Sequence, residues 1–184
     1  MVVPCGNCTA CCRSSYFIHV QSHDRQTIER IPADLLFPAP LLPEGNYVLG
    51  YDRKGHCAML KEEKCSIYSD RPLTCRQYDC RIFAATGLDP AVDGKVPVSE
   101  QAKLWTFEFL SRDDSEAFSA VQMAAQFLIL NKDYFPPEYS MNNMTQIAVM
   151  AVSIYNLFLG QNSLESVDIE KTVQRIGTVK HTSY

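Results

Sequence analysis

The chain has 184 residues, 46% of them hydrophobic and eight of them cysteine. It is long enough to bury an ordinary core, so its cysteines are not needed to rescue a very small fold. A net charge of −4 argues against a general nucleic-acid binder, which carries a basic excess.

In chain order, the first feature is "CGNCTACCR" at residues 5 to 13, with four cysteines inside eight positions. "YFIHV" (16–20) reads as a short strand, and "SHDRQTIERI" (22–31) as a helix with Ser22 or Asp24 as its cap. The segment 32–46 holds four prolines and a glycine, which predicts an irregular loop with at most one helical turn. "YVLGYD" (47–52), a turn over 53–55 and "CAML" (57–60) read as a β-hairpin. Pro72 suits the first turn of a helix, where its missing N–H costs nothing. That helix would carry Cys75, with Cys80 just past its end. A loop rich in Gly, Asp and Pro is expected from about 86 to 97. Helices are expected near 99–111, 114–132, 141–160 and 163–176. Two of these, over 118–130 and 147–158, are apolar nearly all round and predict the core. The expected fold is α+β, mainly α. A cysteine-rich region at 1–90, with its short β-hairpin, would pack on a helical region at 91–184 to form one compact domain.

The chain opens MVVPCGNC, without a basic segment followed by an apolar one. Its longest apolar stretch, 147–159, is shorter than the roughly 20 residues of a membrane-spanning helix. The expectation is a cytoplasmic protein with no membrane span, in a compartment where thiols stay reduced.

The eight cysteines are Cys5, Cys8, Cys11, Cys12, Cys57, Cys65, Cys75 and Cys80. Buried free thiols explain one or two such residues, not a CxxCxxCC run. Disulfides fit the even count, but adjacent Cys11 and Cys12 would bridge only with strain. A metal site accounts for the pattern best. A Cys-x2-Cys turn converges two sulfurs on one ion, and zinc takes four such ligands in a tetrahedron. Cys5, Cys8 and Cys11 also match the first three ligands of a bacterial ferredoxin run, but Cys12 follows at once instead of a three-residue gap. Zinc, iron and an iron–sulfur cluster all accept thiolates, so the metal stays open. The spacing of the distal four does not repeat the compact turn. Both sets are therefore expected to meet at one shared site or two adjacent ones, with all eight cysteines as candidate ligands. Arg13, Arg71, Arg76 and Arg81 accompany the thiols, either as donors to sulfur or as surface ion pairs with Asp70 and Asp79. His56 adjoins Cys57 as a weak further candidate. His19 lies in an apolar strand, where a structural role is expected.

The cysteine pattern, with Gly55, Cys57 and Leu60, then Cys65, Ile67, Tyr68, Arg71, Pro72, Cys75, Arg76, Tyr78 and Cys80, resembles the YkgJ-like cysteine-cluster family. The resemblance covers residues 5 to about 83. It implies a zinc- or iron-chelating domain. The family includes a flagellin lysine-N-methylase, so the resemblance also implies an alternative reading as a cluster-dependent protein lysine N-methyltransferase.

The residues themselves carry no catalytic motif. There is no G-x-G among the eight glycines, no phosphate-binding loop and no HExxH. Catalytic residues stay unassigned, the expected partner is a metal ion, and no protein partner is legible.

Overall fold

The computed structural model describes residues 7–139 and 141–181. The chain divides into two compact units. One comprises residues up to Asp79 together with Lys95–Val98, and the other comprises Cys80–Gly94 and the chain from Ser99 onward. The fold is α+β and mainly α, as the sequence predicts.

The first unit is built on a small antiparallel sheet. Strands β1 (Ile18–Val20), β2 (Leu36–Pro38) and β3 (Tyr47–Leu49) lie in the order β1-β3-β2. The register places Ile18 and Leu36 opposite Leu49, and Val20 opposite Tyr47. Alternation then sends Ile18, Val20 and Leu49 into the core, joined by Ile31, Met59 and Ile67. His19 points the other way, and its Nε2 meets Asn46 Oδ1 at 2.9 Å, the structural role expected of it. The segment expected as a loop thus supplies an edge strand, β2, where Pro38 is tolerated because no further strand needs its N–H. It also supplies a short 3-10 turn, Ala33–Leu35. The β-hairpin expected over 47–60 forms its turn, with a single bridge between Tyr51 and Cys57. Its first strand pairs instead with β1 and β2. The regular hairpin lies further on, between β4 (Leu60–Lys61) and β5 (Lys64–Cys65).

Helix α1 (Arg25–Arg30) starts after Asp24, which stands at the N-cap position without capping that helix. Its carboxylate is used elsewhere. It accepts the Gln21 amide at 3.0 Å and the Leu73 amide at 3.0 Å, and pairs with the Arg76 guanidinium at 3.3 Å. Leu73 opens α2 (Leu73–Gln77), so one buried carboxylate holds the starts of two helices that are distant in sequence. Thr74 Oγ1 donates to the His19 carbonyl at 2.9 Å and ties α2 to the sheet.

The second unit is helical. It contains α3 (Arg81–Thr86), most of α4 (Val96–Ala102), α5 (Arg112–Leu130), α6 (Met144–Ile154) and α7 (Ile169–His181). Helix α5 begins with a capping box. Ser111 Oγ accepts the Asp114 amide at 3.1 Å, and Asp114 accepts the Ser111 amide at 3.1 Å. Asn143 caps α6 by accepting the Gln146 amide. The core joins Ala120, Ala124, Phe127 and Leu128 of α5 to Ile147, Ala151 and Ile154 of α6 and to Phe158. The rings of Phe127 and Phe158 lie 5.3 Å apart. These are the stretches whose all-round apolar pattern predicts the core.

The helix expected over 99–111 ends at Ala102. Beyond it Trp105, Phe107 and Phe109 alternate with Thr106 and Glu108, a period of two that no helix face satisfies. Phe107 and Phe109 both lean on Phe118, at 5.2 and 5.0 Å. The expected 141–160 helix breaks into α6 and a 3-10 turn, Tyr155–Phe158.

Asp24→Ala should lower stability by about 3 kcal/mol, because it strips a buried carboxylate from two amides and an arginine. Denaturant unfolding measures this. A loss below about 0.5 kcal/mol, within the range of an ordinary surface change, would show that the hub is dispensable.

Candidate metal centre

Cys11 and Cys12 sit on a tight 3-10 turn, Cys11–Arg13. Several contacts hold it. Ser14 Oγ donates to the Ala10 carbonyl at 2.8 Å, and Arg13 Nε donates to Thr9 Oγ1 at 3.1 Å. Past the turn, Ser15 adopts a left-handed φ of 50°. Its carbonyl accepts from Lys95 Nζ at 2.9 Å and from Tyr51 Oη at 3.1 Å, and its hydroxyl donates to the Gly55 carbonyl at 2.8 Å. Gly55 has φ +76°, and a Cβ there would stand 2.6 Å from Ser15 Oγ, so this approach requires glycine. Lys95 Nζ also lies over the Tyr16 ring, whose hydroxyl meets Tyr78 Oη at 3.0 Å.

These contacts bring the two cysteine sets together. The Cys57 amide donates to the Cys12 carbonyl at 2.7 Å. The Cys12 thiol neighbours both Cys11 and Cys57, and these two act most strongly on its acidity. Cys65, at the end of β5, and Cys75, on α2, feel the charges of Cys11 and Cys57. Cys12, Cys57, Cys65 and Cys75 all pack on the apolar cluster of Ile18, Val20, Leu49, Met59 and Ile67. The thiols therefore stand on a dry floor, and Cys57 is 7% exposed.

Crowding on that floor sorts their acidities. Cys11 and Cys57 are lowered to about 7, above all because the Cys12 thiol hydrogen-bonds to each of them. Cys12 is pushed far up for the same reason, since the thiol between two sulfurs is the last to lose its proton. Burial raises Cys65 and pushes Cys75 up to about 12, helped by the negative charges of Cys11 and Cys57. The positive charge of Arg71 favours the thiolate at all three of Cys11, Cys65 and Cys75, adding to the lowering at Cys11 and opposing the rise at the other two.

Of the remaining candidates, Cys8 is half-buried on the same loop as Cys11. Cys80 is buried at the N-cap position of α3, in the second unit. Cys5 lies outside the described residues. Among the described residues, no group of three or more His, Cys, Asp and Glu side chains stands in a metal-holding arrangement. Cys11, Cys12 and Cys57 are instead neighbouring free thiols. Their chemistry fits a soft-ligand metal, because thiolates select zinc and iron centres. His56 lies 3.8 Å from the Asp52 carboxylate.

The arginines divide. Arg76 pairs with Asp24, and Arg13 pairs with Glu63. Arg81 lies over the Trp105 ring in the second unit. The Arg71 guanidinium lies 3.8 Å from the centroid of the Tyr68 ring. Ile67 is buried beneath the thiols as an anchor, whereas Tyr68 is 46% exposed and lies against Arg71. Glu62 and Glu63 form the β4–β5 turn with φ of 45° and 61°, a left-handed pair that bulky residues rarely adopt. The turn presents Glu63 to Arg13 and so ties this hairpin to the cysteine turn. Glu63 and Lys95 escape the sequence reading, because nothing in their local context marks them, and Asp24 is read there only as a helix cap.

Residues 4–90 match the model of the CxxCxxCC family, described as "Putative zinc- or iron-chelating domain". Neither a curated protein nor a solved structure matches the chain, so the flagellin methylase resemblance gains nothing from these comparisons. No helix among the described residues is long and apolar enough to cross a membrane.

Iodoacetamide labelling of the reduced, metal-free protein at pH 7.5 should modify Cys11 well before Cys75. Thiolate is the reactive form, and Cys11 is lowered to about 7 while Cys75 is raised to about 12. Peptide mass mapping against time reads the order. Equal rates at the two positions would contradict the sorting.

Proposed function

Because residues 4–90 match the model of the CxxCxxCC family, we propose that this protein holds zinc or iron on thiolates drawn from both of its cysteine sets. Cys11, Cys12, Cys57, Cys65 and Cys75 are the central candidates, with Cys5 and Cys8 as further ones. The observation that carries this reading is the 2.7 Å hydrogen bond from the Cys57 amide to the Cys12 carbonyl, which joins the two sets at their cysteines. A bound metal would supply a cross-link between the two sets and neutralise their charge. The protein supplies the rest. Cys11 and Cys57 are the first to offer thiolates. Cys12 would give up its shared proton to solvent, since the ligand form is the thiolate. The apolar floor keeps water from competing for the sulfurs.

Purification without oxygen, followed by metal analysis, acid-labile sulfide and visible absorption, tests the reading. Zinc or iron at about one equivalent per chain, without sulfide, is the expected result. Brown absorption with acid-labile sulfide would replace the single ion with an iron–sulfur cluster. Protein free of metal that also refuses added Zn2+ or Fe2+ would overturn the proposal.

Two consequences are measurable. Cys57→Ser and Cys75→Ser should each weaken metal binding by more than about 100-fold, a larger effect than losing an outer-shell contact. Stripping the metal under reducing conditions should cost hydrogen-exchange protection across residues 7–79. Protection over 112–158 should change much less, because a ligand that binds the folded site stabilises what it ties together. Equal protection with and without metal would mean that the site does not support the fold around it.

A further inference from the structure

Cys12 and Cys57 are far apart in sequence, yet their backbones touch. The Cys57 amide donates to the Cys12 carbonyl at 2.7 Å. With standard backbone dimensions, that bond leaves the two Cα atoms no more than about 6.6 Å apart. A disulfide spans Cα separations of about 4.4–6.8 Å. The two side chains also share a side. Cys57 belongs to the apolar cluster of Ile18, Val20, Leu49, Met59 and Ile67, and Cys12 packs against the same cluster. Both are free thiols.

Neighbouring contacts fix this approach. Ser15 Oγ donates to the Gly55 carbonyl at 2.8 Å, so the two segments lie side by side, with Cys12 next to Cys57 and Ser15 next to Gly55. Gly55 admits Ser15 because it lacks a Cβ, which would stand 2.6 Å from Ser15 Oγ. The backbone of Cys57 is held in turn by its bridge to Tyr51 and by the Leu60 amide, which donates to the Cys57 carbonyl at 2.9 Å. The other thiols are placed differently. Cys11 adjoins Cys12, and a bridge between adjacent residues is strained. Cys65 stands opposite Leu60 in the β4–β5 hairpin, and Cys75 lies on α2.

We propose that Cys12 and Cys57 are a redox pair, which closes into an intramolecular disulfide under peroxide and reopens under a thiol reductant. Each thiol loses its S–H bond, one S–S bond forms, and the O–O bond of hydrogen peroxide breaks. The two electrons given up by the sulfurs reduce the peroxide, which takes the two protons and leaves as two waters. The inference stands on the backbone contact and not on a bound metal. Closing the bridge would also withdraw two thiols of the proposed metal site at once.

The test uses the full-length protein, reduced and freed of metal by a chelator, then treated with hydrogen peroxide and blocked with N-ethylmaleimide. Tryptic mapping without reduction should find peptide 1–13 joined to peptide 55–61, and dithiothreitol should separate them. Peptide 1–13 holds four cysteines, so fragmentation of the joined pair assigns the sulfur in the wild-type protein, whichever variant fails to fold. Cys57→Ser should abolish this product. Cys12→Ser should lower its yield by about tenfold or more, because another sulfur reaches Cys57 only if the backbone moves. Cys11→Ser should leave it in place. Thermal unfolding of the reduced variants shows which of them are folded. A wild-type yield in folded Cys12→Ser would put the bridge on another sulfur and overturn the proposal. So would disulfides that join mainly other cysteines or separate chains. Wild-type protein that keeps its thiols, or that oxidises Cys57 to the sulfinic acid without a bridge, would overturn it as well.

Discussion

The controlling constraint is electrostatic. Thiols gathered on an apolar floor cannot all ionise, because each negative sulfur raises the cost of the next and burial removes the water that would screen them. Cys11, Cys12 and Cys57 meet this constraint by sharing protons: Cys12 stays protonated between two readily ionised neighbours. Much of the first unit is arranged around that group. The sheet supplies the floor, the Cys57 amide closes onto the Cys12 carbonyl, and α2 brings Cys75 alongside.

Holding such a group in place needs anchors that do not compete for the sulfurs. The structure uses hard, oxygen-based contacts for this purpose. Asp24 binds two backbone amides and an arginine, Ser15 is held at its carbonyl by Lys95 and Tyr51, and Glu63 reaches Arg13 from a left-handed turn. All of these but the Asp24–Gln21 contact join residues far apart in sequence. Two of them involve backbone of unfavourable φ, at Ser15 and at Glu62–Glu63. Strain of this kind persists where surrounding contacts over-determine the conformation, and here it lies beside the cysteines.

The second unit follows a different logic. Its core of Ala, Phe, Leu and Ile side chains from α5, α6 and the turn after α6 is closed by apolar packing, and its helices carry their own caps. It needs no metal to account for its order. Its exposed apolar residues, such as Leu104 and Leu110, are scattered along a segment whose aromatic neighbours pack on Phe118.

The division between sequence and tertiary structure follows the range of the forces involved. Composition and spacing alone established the mainly helical α+β class, the apolar core segments in α5 and α6, and the thiol-rich character of residues 5–80, because periodicity and ligand spacing are local properties. The same locality explains the errors. A proline-rich loop concealed the edge strand β2, whose existence depends on the offered edge of β3. An apolar run after Ala102 looked helical until Phe118 claimed its alternate rings. Asp24 looked like a cap until its carboxylate was taken by the start of α2. Which cysteines of the two sets come together was decided only in the fold, because hydrogen bonds such as that from the Cys57 amide to the Cys12 carbonyl act through space between residues that the chain keeps far apart.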